Sequence, residues 1–300
     1  MTTLFSDLIA LTKPKIIVLL LVTAVGGLFL ASEGIPDLWI TLAVLTGGAL
    51  GAGGANTINQ YLERDIDDKM SRTDGRPLVS GSIGPLTALI FGIVLNLVAF
   101  AILWQFANFI SAILTLAATL FYVFVYTMLL KRTTSQNIVI GGAAGSIPPM
   151  VGWAAVTGNI LDPAPIMLFV NIFVWTPPHF WALSLILKDD YARAGVPMLP
   201  VVKGVENTKK QIFVYTWILM AVVIITALTV DRLGIIYGLT NVIFVLIFSW
   251  MSWKLMRESN IRLALPIYLF SLLYLAVSFG SIMIDGMIAW MDFGLTNVLP

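Results

Sequence analysis

LWITLAVLTGGALGAGGANTINQYLERDIDDKM, residues 38–70, runs from an uninterrupted apolar stretch into a dense charged segment. Leu38–Leu62 carries no charge and exceeds the ~20 residues that an α-helix needs to cross a bilayer. Its far end is polar, with Asn59, Glu63 and Asp67 standing four apart. Steps of four return to nearly one helix face, so an amide and two carboxylates are expected to line one stripe over two turns. Stacked carboxylates repel, and at a membrane edge the repulsion is poorly screened. A divalent cation relieves that cost. An all-oxygen set suits Mg²⁺, which usually binds through one or two carboxylates plus substrate phosphates. The stretch reads as a membrane helix that ends in a phosphate-handling site.

Similar apolar runs recur along the chain. Charge-free segments are Ile16–Ser32, Leu38–Leu62, Pro77–Leu130, Thr133–Leu161, Pro163–Leu187, Gln211–Val230, Leu233–Trp253 and Leu263–Ile284. The third is too long for one helix, and Trp104-Gln-Phe-Ala-Asn108 divides it. The expected fold is an all-α membrane protein, a bundle of nine transmembrane helices, with residues 1–300 forming one integral domain. Composition agrees: 59% of the 300 residues are hydrophobic, 11% charged, and mean hydropathy is +0.94, outside the soluble range. Tyr61 and Tyr191 fit a role as interfacial anchors as well as one in the site.

Every Lys and Arg except Arg232 falls in alternate connections or at the N-terminus, beginning with Lys13 and Lys15. By the positive-inside rule the N-terminus is cytosolic and the C-terminus external, with Asp285–Pro300 expected along the outer interface. The absence of cysteine excludes disulfides, thiolate metal sites and cysteine nucleophiles. The near-neutral net charge of +1 hides this polarity and says nothing about nucleic acid, but no basic soluble domain exists to bind it. The opening residues resemble neither a presequence nor a cleavable signal, so a prokaryotic plasma (inner) membrane is expected.

Two connections on the cytosolic side are longer and richer in charge than the rest. Glu63–Ser82 holds five carboxylates and four cations around the turn-rich Asp74-Gly-Arg-Pro77. Lys188–Lys210 begins Lys-Asp-Asp-Tyr-Ala-Arg-Ala-Gly-Val-Pro-Met-Leu-Pro. Here Asp189 and Asp190 offer a second acidic, metal-binding group, and Lys188, Arg193 and Lys203 suit phosphate oxygens. Each loop follows a helix four spans from the other, so a bundle can bring them face to face. The Gly141-Gly-Ala-Ala-Gly145 run permits close helix packing, and Pro148-Pro149 predicts a kink.

These residues also carry a resemblance. The acidic stripe, followed by Lys69-Met-x-Arg-Thr-x-x-Arg-Pro-Leu-Val-x-Gly81, resembles the first signature of the UbiA superfamily of intramembrane prenyltransferases. More narrowly, Trp175-Thr-Pro-Pro-His-Phe-Trp-Ala-Leu183 with Asp190-Tyr-x-x-Ala-Gly-Val-Pro-Met-Leu-Pro200, and Asn137–Gly158, are similar to the protohaem IX farnesyltransferases. Position 63 is Glu where the superfamily usually has Asp. Position 179 is His where many members begin a second acidic motif.

The resemblance implies transfer of a farnesyl group from farnesyl diphosphate to the 2-vinyl group of protohaem IX, with addition of water. It assigns Asn59, Glu63, Asp67 and Asp190 to catalysis, with Mg²⁺ held by Asn59, Glu63, Asp67, Asp189 and Asp190. It assigns Arg72, Arg76, Lys131, Arg132, Lys188, Arg193, Tyr126 and His179 to substrate, in an active site open to the cytoplasm. Haem A synthase or terminal-oxidase assembly factors are the implied partners in the bilayer. His179, the only histidine, is either a haem-iron ligand or a packed side chain bonded to a carbonyl freed by Pro177 or Pro178. A sister prenyltransferase acting on a quinone or chlorophyll precursor fits the acidic stripe but not His179-Phe-Trp181. A transporter accounts for the helices alone, and polar residues would then gather near mid-bilayer.

Overall fold

The computed structural model describes residues 2–296, with side chains from residue 4 to 291. Among them nine helices are long and apolar enough to cross a membrane: Pro14–Ser32, Leu38–Leu62, Pro85–Phe106, Phe109–Thr133, Asn137–Thr157, Pro163–Ile186, Val205–Thr229, Ile235–Arg257 and Ala264–Met291. They are called here the first to ninth spans. Helices satisfy every backbone donor and acceptor internally, the condition for burial in hydrocarbon. Among the described residues there is no strand.

The outer surface of the bundle is apolar. Leu97, Trp217, Leu228 and Ile235 are each more than half exposed, an arrangement that water would penalise and lipid does not. Exposed Trp39, Trp104, Trp250 and Trp290 lie near span ends, as in an aromatic belt. The interior has two main parts. Sixth to ninth spans share a cluster around Trp181, Phe248, Tyr274 and Phe279, and the first to fifth spans share another around Leu28, Val44 and Leu103. The first span joins them, packing on the second, fifth and ninth.

Small residues set the closest approaches. A Cβ on Gly27 would strike the Pro149 carbonyl, and one on Gly152 the Ala24 carbonyl, so the first and fifth spans meet backbone to backbone. Gly141 lies against the Tyr126 ring and Gly142 against Thr176. The expected break at Trp104–Asn108 is a helix end: Asn108 caps Phe109–Leu120 through the Ser111 N–H at 2.9 Å and donates to Ala154 at 2.6 Å. The fifth span bends between Gly145 and Pro148, where its two helical pieces meet.

Three features depart from the sequence reading. Thr2–Thr12 forms an additional helix, fixed to the second span by Gln60 donating to the Leu11 carbonyl (2.7 Å) and Asn56 to that of Thr12 (2.9 Å). The ninth helix continues unbroken through Asp285 to Thr296. Asp285 accepts from the backbone N–H groups of Gly234, Ile236 and Tyr237, capping the eighth span, so this residue is a buried cap rather than part of an interfacial segment. The last four residues, including the expected external Pro300, lie outside the described ones. Tyr191 is 3% exposed and packs inside a loop cluster, which removes it as an interfacial anchor.

Candidate active site

The second span ends at Leu62, and Glu63 has φ −99° and ψ 7° before a short helix, Arg64–Asp67. The stripe is therefore bent at its middle residue. Hydrogen bonds still run from Glu63 N to Asn59 O (2.9 Å) and from Asp67 N to Glu63 O (2.8 Å), which keeps all three side chains together. Asn59, Glu63 and Asp67 are each no more than 2% exposed.

Each meets a cation from a different part of the chain. Lys131 Nζ, at the end of the fourth span, lies 2.5 Å from Glu63 Oε1. Arg76, from the loop, pairs with Asp67. Lys13 Nζ lies 3.1 Å from Asn59 Oδ1. Burial tends to raise the Glu63 carboxyl, but the charges of Lys131 and Lys13 outweigh it and hold Glu63 below the usual carboxylate range. Lys13 moves the other way: burial, then the nearby Arg76, bring its ammonium down to about 7. Its backbone is left-handed (φ 55°, ψ 59°) immediately before Pro14, a conformation disfavoured by roughly 1–3 kcal/mol. The docked Thr2–Thr12 helix imposes that turn, which carries the lysine to the end of the second span.

The fourth span winds as a π-helix over Phe121–Leu130. Thr127 donates to the Tyr122 carbonyl five residues back (2.8 Å) and accepts from Asn59 Nδ2 (3.0 Å). This local widening aligns Thr127 with Asn59 and Lys131 with Glu63, and such segments are frequent at functional sites. Tyr126 stacks on Tyr122 with centroids 5.4 Å apart, and its ring lies 5.8 Å from the Lys131 ammonium. Arg132 forms a bidentate pair with Asp65, both bonds 2.8 Å, and this holds the Asp65 carboxyl low. Arg132 is thus engaged at an exposed edge and not inside the buried cluster.

The two charged loops face one another. Ser71 donates to the Asp190 carboxylate (3.0 and 3.2 Å), and Asp190 also pairs with Arg193. Arg72 lies over the Tyr191 ring at 5.9 Å. Ile66 and Met70 of the first loop pack with Tyr191, Val196 and Met198 of the second, and Tyr126 and Phe180 border this cluster. Asp190 is 8% exposed, whereas Asp189 is exposed and Lys188 half-buried. Among the described residues neither Asp189 nor Lys188 makes a side-chain hydrogen bond or ion pair.

His179 sits in the sixth span with both prolines inside the helix. Its Nδ1 lies 2.7 Å from Ser271 Oγ of the ninth span, so its partner is a hydroxyl and not a carbonyl freed by Pro177 or Pro178. The ring stacks between Trp175 and Tyr268 at 4.3 and 4.8 Å.

Asn59, Glu63 and Asp67 are hard oxygen donors at one buried point. Among the described residues no group of three or more His, Cys, Asp or Glu gathers at metal-binding distance. The protein thus offers a partial set of the kind that substrate phosphates complete, which fits Mg²⁺. Sequence reasoning overlooked Lys13, Thr127, Ser71 and Ser271. Only Lys13, as a cation directly before the first span, left a readable signal.

Several known proteins are similar to this chain. It is 48% identical over 284 residues to a "protoheme IX farnesyltransferase" of Roseiflexus sp. (strain RS-1), covering 94% of this chain and 52% of that one. A "protoheme IX farnesyltransferase 1" of Saccharopolyspora erythraea is 47% identical over 288 residues, covering 95% and 91%. The chain spans about half the length of the Roseiflexus relatives and most of the Saccharopolyspora one. In fold it is similar to a solved structure of digeranylgeranylglyceryl phosphate synthase, with TM-score 0.76, 17% identity, and coverage of 95% and 99%. It is also similar to a UbiA homologue from Archaeoglobus fulgidus bound to DMAPP and Mg²⁺, with TM-score 0.68, 18% identity, and coverage of 92% and 99%. The sequence model of the UbiA prenyltransferase family matches residues 20–281, and the chain belongs to that family.

Proposed function

We propose that this chain is a Mg²⁺-dependent prenyltransferase that moves a farnesyl group from farnesyl diphosphate to the 2-vinyl group of protohaem IX. One observation carries the reading: a buried amide and two buried carboxylates, each met by a cation from a separate segment, beside a second loop anchored by Asp190. Mixed charge of this kind suits a diphosphate that arrives with its metal. Relatives named for this reaction support the acceptor.

Asn59, Glu63 and Asp67 would hold Mg²⁺, which supplies neutralisation of the charge on the leaving diphosphate. Lys131, Arg76 and Lys13 bind the remaining phosphate oxygens. An anion beside Lys13 restores the charge that burial disfavours, so substrate binding fixes that ammonium. The C1–O bond of the farnesyl group breaks with its electron pair on diphosphate. The vinyl π-electrons form the new bond to C1, and water adds to the resulting cationic carbon with loss of a proton. The product is a hydroxyethylfarnesyl haem plus diphosphate. Tyr126 and Phe180 border the site with apolar surface that keeps water from capturing the farnesyl cation early. His179 is assigned to the haem.

Purified protein given farnesyl diphosphate, Mg²⁺ and protohaem should yield a haem heavier by one farnesyl and one water. EDTA should abolish the reaction, and Mg²⁺ should restore it. Full activity in EDTA removes the metal. Prenylation of 4-hydroxybenzoate with haem untouched moves the protein to the sister class.

The active-site end is assigned to the cytoplasm, in a prokaryotic plasma membrane with the N-terminus inside, because the basic connections share that end. Reporter fusions at Thr73, Thr133 and Asn207 should read as cytosolic, and those at Glu33, Asn159 and Pro300 as external. A cytosolic Pro300 would break the nine-span topology. Oxidase-assembly proteins, haem A synthase among them, are natural partners for a membrane enzyme with this product.

A further inference from the structure

Ser271 of the ninth span holds two aromatic residues of the sixth, ninety or more positions away in sequence. Its carbonyl accepts from Trp175 Nε1 at 2.9 Å. Its hydroxyl donates to the Tyr268 carbonyl at 2.6 Å and lies 2.7 Å from His179 Nδ1. A serine hydroxyl has one proton. That proton is committed to Tyr268, so toward His179 the oxygen accepts. Assigned from this network, Nδ1 carries the imidazole hydrogen and Nε2 keeps its lone pair.

The ring has little freedom to leave that state. Trp175 and Tyr268 cover its two faces with interplanar angles of 18° and 25°, and Phe180 meets it edge-on at 5.4 Å. A flipped ring would set an unprotonated Nε2 or a carbon against the Ser271 oxygen and lose the bond. Nε2 makes no hydrogen bond among the described residues. The arrangement matches that of metal-bound histidines, whose other nitrogen donates to a fixed acceptor that sets tautomer and orientation. Phe180, next in the chain, packs on the cluster bearing Tyr126 and Tyr191, so the histidine adjoins the loop side of the site.

We propose that Ser271 is a positioning residue for the acceptor: it fixes His179 as the Nδ1–H tautomer and presents Nε2 as a ligand to the iron of the substrate haem. The proposal rests on the assignment of His179 to haem made above. It specifies which nitrogen binds, and which residue outside the recognised motifs makes it available.

The test is titration of detergent-solubilised full-length protein with protohaem, followed by the Soret band, alongside the KM for farnesyl diphosphate. Wild type should give a band shift that His179→Ala abolishes. Ser271→Ala should weaken haem binding by about 10–100-fold, the usual effect of removing a ligand's orienting partner, with the KM for farnesyl diphosphate unchanged. Ser271→Thr, which keeps the hydroxyl, should restore the shift. Ser271→Cys, a weaker acceptor, serves if the alanine variant does not fold, and intermediate weakening is expected. A His179-dependent shift that Ser271→Ala or Ser271→Cys leaves at wild-type affinity overturns the role of Ser271 while His179 stands. A shift that persists in His179→Ala, or is missing from wild type, overturns the haem contact itself and Ser271's role with it.

Discussion

Asp67→Asn should leave the protein folded in the membrane and lower turnover by about 10²–10³-fold, the usual cost of removing one stabiliser of transition-state charge. The backbone around Asp67 does not hang on its carboxylate, although loss of the charge weakens the buried pair with Arg76. The Asp67 carbonyl, not its side chain, accepts from Thr73 Oγ1 at 2.5 Å, and its N–H bonds to Glu63. Asparagine retains the size and one oxygen, so Arg76 keeps a hydrogen-bond acceptor where alanine would leave a cation without a partner. What disappears is the negative charge of a side chain 3% exposed, at the point where Mg²⁺ and diphosphate are assigned. Initial rates over a Mg²⁺ titration check this. Turnover close to wild type at saturating Mg²⁺ would take Asp67 out of the metal site.

Much of the scaffold was legible because hydrophobic length is a strong signal. The uncharged stretch Leu38–Leu62 is the second span to the residue, and Asn108 opens the fourth span as its polar N-cap. The acidic stripe was legible because steps of four survive even a bend at Glu63. The confrontation of the two loops followed from their separation by four spans, and Ser71–Asp190 is the contact that realises it. What could not be read depends on partners far apart in sequence, or on backbone that departs from the regular helix. Lys13 looks like a simple topology determinant until the Thr2–Thr12 helix docks and turns it inward. Thr127 has no periodic reason to face Asn59, because the π-helical stretch shifts the pattern that an α-helix would give. The partner of His179 is one serine among several on the ninth span, and nothing in its neighbours distinguishes it.

Glu63 and Lys131 give the sharpest separation of stability from catalysis. The pair is buried, with side chains 2% and 10% exposed, and the two charges lie 2.5 Å apart. Breaking such a pair from one side strands a charge and costs about 3–5 kcal/mol, whereas replacing both partners with neutral side chains of similar size is often neutral. Glu63→Gln and Lys131→Met should therefore each lower the thermal midpoint of the detergent-solubilised protein, and the double variant should recover most of the loss. Lys13 and Asn59 moderate the Glu63→Gln penalty less than the Lys131→Met one, because Lys13 still faces the carboxylate when Lys131 is gone. Activity should follow a different rule. If Glu63 binds metal and Lys131 binds phosphate, each single variant loses about 10²–10³ in turnover and the double variant regains nothing. A double variant that recovered both stability and turnover would show the pair to be a structural tie between the second and fourth spans. The diphosphate site would then rest on Asn59, Asp67, Arg76 and Lys13. Recovery of stability without turnover is the signature of a buried pair kept for the substrate.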